Sequence, residues 1–371
     1  RNTLFIHLTL VPYLSSSGEM KTKPTQHSVM KLREIGIQPD IILCRSPNHL
    51  DENLKRKIAL FCSVNPEEVI DAPDVETIYE VPVNFHRQEL DDLVLKKLGV
   101  KATPANIDLW INTLNRIRNP HHRIEVAIVG KYTGLHDAYI SILEAFTHAG
   151  AALDTKVEIR WVDATQVNEQ SVEEMFQGVD GILVPGGFGD RGIEGKIAAI
   201  HYARTRDVPF FGICLGMQCA VIEYARDVLK WKDAHSGEFN QRTKHPVIDL
   251  LPDQRKVRRK GGTMRLGSQP CHIIPGTLAH QIYGQELIHE RHRHRYELNN
   301  EFREALEEAG MIFSGLSPDH TLVEMIELPD HPWFIGCQFH PELKSRFTKP
   351  HPLFYHFVQA MRERRQKGEK S

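Results

Sequence analysis

At 371 residues the chain exceeds the usual span of one domain, so two domains, or one domain with part of another, are expected. Charged residues at 25% beside a hydrophobic share of 41% exclude a disordered chain, and a net charge of −2 singles out neither nucleic acid nor a membrane surface as partner. No run of about 18 apolar residues and no signal-peptide order is present, which points to a cytoplasmic protein.

The chain opens at Arg1 in an apolar, strand-like run from Leu4 to Val11 and reads as cut from something longer. A basic segment, Gly18 to Ser28, follows; Lys21 and Lys23, two apart in an extended stretch, would present two ammonium groups together, although composition alone makes this an exposed loop. Ile41–Cys44 and Ile58–Phe61 are short buried segments. Residues 104–123, with Asn119-Pro120 and His121-His122, have the texture of a linker. This divides the chain into 1–103, 104–123 and 124–371.

From Ile124 strands and helices take turns. Ile124–Val129 is a strand, and Ile142, Ala145, Phe146 and Ala149 then fall on one helical face. Val157–Val162 and Gly181–Val184 are further strands. Ile193, Ile197 and Ile200 mark a helix, and Val208–Ile213 is a strand again. This order predicts an α/β fold, doubly wound around a mostly parallel sheet, with ligands at the carboxyl ends of the strands. Beyond Asp249 the pattern mixes, with strands near Leu322–Glu327 and Trp333–Phe339. A closing helix spans about Leu353–Arg364, and a frayed, charged end covers 362–371.

Six cysteines lie far apart without a C-x-x-C pair, arguing against a zinc site or a disulfide framework. One stands out. In Gly212-Ile213-Cys214-Leu215-Gly216 a thiol sits where a buried strand meets a helix, with glycines to allow a sharp bend and a helix N-terminus to favour the thiolate. Gln338-Phe339-His340-Pro341-Glu342 supplies a base and its orienter, since side chains two apart on an extended chain face the same way. Pro185-Gly186-Gly187-Phe188-Gly189 ends a strand, and its N–H groups, with that of Leu215, can meet a developing oxyanion. A phosphate loop is the competitor there, but no Lys-Ser/Thr follows. Taken singly, a buried cysteine, a surface turn and a glycine loop are the ordinary readings.

In this order the three segments resemble the class I glutamine amidotransferases over Ile124–Arg364. The resemblance implies that Cys214 attacks the glutamine amide, His340 protonates departing ammonia and Glu342 steers the imidazole. The wording of Gly212–Gln218, Gly261–Gly267, Arg291–Glu297 and Pro332–Glu342 is similar to the CTP synthase family. By that similarity Gly187, Leu215, Gly216, Met217, Gln218, Glu238 and Arg295 hold glutamine, with Arg295 suited to a carboxylate and Glu238 to an ammonium. Lys21, Thr22, Lys23, Pro24, Thr25, Gln26 and Lys57 match positions for UTP and the inhibitor CTP, and Val75 matches one near ATP. Phe188, Arg191, Thr263 and Arg265 are candidate contacts for GTP, the family's allosteric activator.

The family implies ATP with Mg2+ and a homotetramer. Its glycine-rich P-loop and acidic magnesium ligands do not occur in these residues, so the first part reads as the C-terminal portion of a Rossmann-like amidoligase domain, without metal ligands. His235 and Leu343 depart from the family's usual Asn and Phe, both expected to lie off the triad. The Arg255–Lys260 stretch reads as a solvated loop. Another glutamine-dependent synthase, a Cys-His-Glu peptidase and an assembly module without catalysis stay open as alternatives.

Overall fold

The computed structural model describes residues 2–131, 136–187, 189–250 and 264–368. The chain forms two compact units, 1–114 and 115–371. The Arg255–Lys260 stretch lies outside the described residues.

In the first unit β1 (Ile6–Leu10), β2 (Ile41–Ser46) and β3 (Val69–Pro73) pair in parallel, in that order. Helices α1 (Lys23–Glu34) and α2 (Glu52–Cys62) close one face over Val29, Ile42, Cys44, Ile58 and Val69. Asp51 starts α2 by accepting from Leu54 N at 2.8 Å, satisfying one of the helix's unpaired donors. The segment Ile58–Phe61 is thus helical, and its two halves part: Ile58 and Ala59 are buried while Leu60 and Phe61 face outward. Residues 108–118, inside the stretch expected as a linker, form a helix, and Trp110 Nε1 donates to Tyr79 O at 2.7 Å.

Among the described residues, the large sheet of the second unit has nine strands: β4 (His122–Gly130), β5 (Thr155–Asp163), β6 (Gly181–Val184), β7 (Phe210–Ile213), β8 (Arg265–Ile273), β9 (Leu287–His294), β10 (Ile312–Leu316), β11 (Val323–Glu327) and β12 (Phe334–Cys337). Their order across the sheet is β9-β8-β10-β11-β12-β7-β6-β4-β5. From β12 to β5 every pairing is parallel, while the β9 side is antiparallel. Alternation along β4 explains the two layers. Val126 and Ile128 pack with α3 (Ile140–Ala152) and α6 (Pro352–Gly368); Ala127 and Val129 pack with α4 (Ile193–Thr205) and α5 (Leu215–Asp227).

The charged end of α6 corrects one expectation. The helix runs to Gly368, because its arginines hold carbonyls of neighbouring segments: Arg362 reaches Leu153 O at 2.8 Å, Arg364 Asp207 O at 2.7 Å and Arg365 Arg123 O, in β4, at 2.9 Å. Charges that look solvated in sequence here tie the helix down.

Candidate active site: a thiol, an imidazole and a carboxylate

Strands β7 and β12 lie side by side with Ile213 opposite Cys337, so the residues just beyond them leave one edge of the sheet together. Cys214 N donates to Cys337 O at 2.7 Å. Cys214 then bends the chain at φ 52°, ψ −102° and becomes the N-cap of α5. A non-glycine residue held there costs roughly 1–3 kcal/mol, strain the packing around it must hold. Gly216 makes the bend feasible: a methyl group on it would come within 2.0 Å of Val184 O.

The thiol is buried at the N-terminus of α5 and shares a cavity with His340, whose Nδ1 lies 2.7 Å from Glu342 Oε1. The expected route to this pairing needs correcting. β12 ends at Cys337 and Pro341–Lys344 is a 3-10 turn, so His340 and Glu342 meet across a turn that Pro341 helps to start, not along an extended strand. Burial pulls the proton affinity of His340 down, but the hydrogen bonds and charges of Cys214 and Glu342 outweigh it and raise its pKa to about 10. Gly186 closes over the pair. A methyl group there would stand 3.0 Å from His340 Cε1 and 3.4 Å from Cys214 Cβ.

Gln338 is a residue the sequence reading passed over. It is fully buried, and its Nε2 sits 3.6 Å from Cys214 Sγ. Its place in the same motif as His340, directly after β12, is the signal that could have found it. Lys196 was also missed: it is 1% exposed, and a methyl group on Gly187 would lie 3.9 Å from its Nζ. Burial holds its amine below the ordinary range.

Two cavities meet at Cys214. A small one of about 30 Å³ is lined by Gly187, Leu215, Gln218, Glu238 and Arg295, five of the seven expected glutamine contacts, with Tyr296 among its other walls. Gly216 and Met217 are not on it; both are buried in α5, Met217 within the core. The other, about 330 Å³, lies on the His340 side and includes Gly186, Arg293 and Leu343. Leu343, expected off the triad, therefore shares a wall with it.

Of the candidate GTP contacts, Phe188 and Thr263 lie outside the described residues. Arg191 Nη2 donates to Lys131 O at 2.5 Å. Arg265 is engaged inward: Nη1 meets Glu297 Oε1 at 3.2 Å and Nη2 meets Glu324 Oε1 at 2.8 Å. His292 and His294 complete that buried group, their Nδ1 and Nε2 being 2.9 Å apart. Burial holds both neutral, His292 down to about 3.

In the first unit Lys21 pairs with Glu19, and Lys57 acts on the same carboxylate; together they hold it below the ordinary range. Thr22 precedes α1 and accepts from Gln26 Nε2 at 3.2 Å; Lys23 and Pro24 begin the helix. Thr25 faces the core and donates to Leu10 O at 3.0 Å. Val75 is half-buried just past β3.

A cleft of about 740 Å³ between α4 and α5, away from Cys214, carries His201, Glu223 and Asp227 close enough to share a cation. Arg204 already donates to both carboxylates, which disfavours a metal there.

A profile of the family "Glutamine amidotransferase class-I" matches residues 135–360, and one of "CTP synthase N-terminus" matches residues 1–100. The chain is 58% identical over 360 residues to the CTP synthase of Caldanaerobacter subterraneus subsp. tengcongensis, covering 97% of this chain and 67% of that protein. To the CTP synthase of Clostridium kluyveri it is 55% identical, with 97% and 67% covered. Among solved structures, the Trypanosoma brucei CTPS glutaminase domain with bound acivicin superposes with a TM-score of 0.61 at 38% identity, covering 65% of this chain and 94% of that one.

Proposed function

The chain belongs to the CTP synthase family of glutamine-hydrolysing ligases, and from that membership we propose that its second unit releases ammonia from glutamine at Cys214, His340 and Glu342. The observation that carries the proposal is one half-buried imidazole that shares a cavity wall with the thiol and bonds a carboxylate, beside a pocket holding Glu238 and Arg295. Arg295 offers a paired donor for the substrate carboxylate, and Glu238 an acceptor for its ammonium.

In this reading the Cys214 sulfur adds to the glutamine amide carbon, and N–H groups of the Gly187 turn and of Leu215, the first residue of α5, receive the oxyanion. The imidazolium of His340 gives its proton to the leaving nitrogen, so ammonia departs and a glutamyl thioester remains. Water then adds while His340 takes its proton, the C–S bond breaks, and glutamate leaves with the thiolate restored. Glu342 holds the ring throughout.

We further propose that the ammonia aminates UTP to CTP at the expense of ATP, with Lys21, Lys23 and Lys57 of the first unit facing nucleotide phosphates and GTP activating the glutaminase. Residues 1–103 then form the amidoligase part and 124–371 the glutaminase domain, in a cytoplasmic homotetramer. Magnesium would accompany ATP; Asp71, a buried carboxylate of the first unit, already bonds His49 at 2.6 Å, so no ligand is assigned and no step is routed through the metal. The test is Cys214→Ala and Cys214→Ser: both should abolish glutamine hydrolysis, and turnover retained by either overturns the mechanism. Acivicin, bound in the Trypanosoma domain, should protect Cys214 from iodoacetamide.

A further inference from the structure

We propose that Gln338 is a catalytic hydrogen-bond donor to the nucleophilic sulfur, with the direction of its amide dictated from the backbone carbonyl of Tyr296 by way of Gln218. The proposal rests on the reading of Cys214 as the nucleophile.

The argument is one of polarity. A carbonyl oxygen can only accept, so the Gln218 atom 2.9 Å from Tyr296 O must be its Nε2. That same Nε2 lies 3.1 Å from the Gln338 amide, and both of its hydrogens are donors, so the Gln338 atom facing it must be Oε1. Only Nε2 of Gln338 is then left to face Cys214 Sγ, 3.6 Å away. An amide whose two ends look alike in shape is thereby fixed one way round. The two amides are buried, Gln338 fully so and Gln218 4% exposed, while Tyr296 at the start of the relay is half-buried, so water competes least for the bonds nearest the sulfur. His340 lines the same cavity as the sulfur, so Gln338 approaches the thiolate from a side that the imidazole does not supply. Both N–H groups of Gln218 are spent in the relay, and its Oε1 is the atom left to meet a substrate donor in the small cavity.

A donor to the thiolate favours the charged form, so its removal should make the thiol harder to ionise. The experiment follows alkylation of Cys214 by iodoacetamide in the full chain, read at the Cys214 peptide by mass spectrometry from acid to alkaline pH. In Gln338→Met, which keeps length but has no N–H, the midpoint should move upward by about one pH unit. Glutaminase kcat should fall about tenfold or more with KM little changed. Gln218→Met leaves Gln338 whole and frees its amide to rotate; it should shift the midpoint in the same direction by less. In the unmutated protein the Gln338 side-chain amide resonances should titrate with the Cys214 midpoint, a readout that does not depend on a variant folding. An unshifted midpoint in folded Gln338→Met, or amide resonances indifferent to that titration, overturns the proposal. Glutaminase turnover in Cys214→Ala would instead remove the nucleophile reading itself, so the two failures are distinct.

Discussion

His340 Nδ1 stands 2.7 Å from Glu342 Oε1 across a turn, and the same ring shares a cavity with the thiol of Cys214. The carboxylate therefore fixes which ring nitrogen faces the sulfur. Replacing Glu342 by Gln keeps the shape but removes the charge. Steady-state glutaminase assays should show kcat lower by about 100- to 10,000-fold with little change in KM; a loss carried by KM instead would mean that Glu342 serves binding.

The shift on His340 has a signed consequence for stability. Its folded pKa, about 10, lies above the ordinary 6.5, so the stabilisation it brings is complete below about 6.5 and is lost as pH rises through 10. Denaturant titrations of the wild type should show stability declining across that window. In Cys214→Ala one of the partners that raise the pKa is gone, and the decline should be shallower and end at lower pH.

Two glycines separate function from folding. Gly216→Ala drives a methyl group to within 2.0 Å of a backbone oxygen, and neither side can retreat. Loss of about 3 kcal/mol or more, or failure to fold, is expected from calorimetry. Gly186→Ala meets the edge of a side chain at 3.0 Å, so the protein should fold normally while displacement of His340 lowers kcat.

Arg265 brings a single guanidinium to two buried carboxylates. Burial raises the pKa of both Glu297, to about 8 against the pull of Arg265, and Glu324. Arg265→Met leaves them without their cation and should destabilise the second unit by about 3–5 kcal/mol, visible as a lower Tm. An unchanged Tm with loss of GTP activation would restore Arg265 as a nucleotide contact.

Lys21 and Lys57 act on the same carboxylate, Glu19, in the first unit. If a nucleotide triphosphate displaces Glu19, Lys21→Ala and Lys57→Ala should each weaken UTP binding by about tenfold in calorimetry, less so at high salt. Glu19→Gln should strengthen it; unchanged binding in all three would place the phosphates elsewhere.

Periodicity along the chain determined the elements themselves. The stripe of Ile142, Ala145, Phe146 and Ala149, the strand ending in Pro185-Gly186-Gly187 and the bend at Cys214 depend on local geometry, which neighbours in sequence dictate. What distant segments do to one another was not legible there. The mixed strand order places Ile213 beside Cys337, 124 residues on, and that register alone sets the thiol against the imidazole. Packing between distant segments likewise aims Gln338 at the sulfur, turns Arg265 inward and anchors the arginines of α6 on carbonyls of other elements. Polarity and charge mark a residue as solvated until packing supplies it with a buried partner, and such partners come from parts of the chain that no local pattern connects.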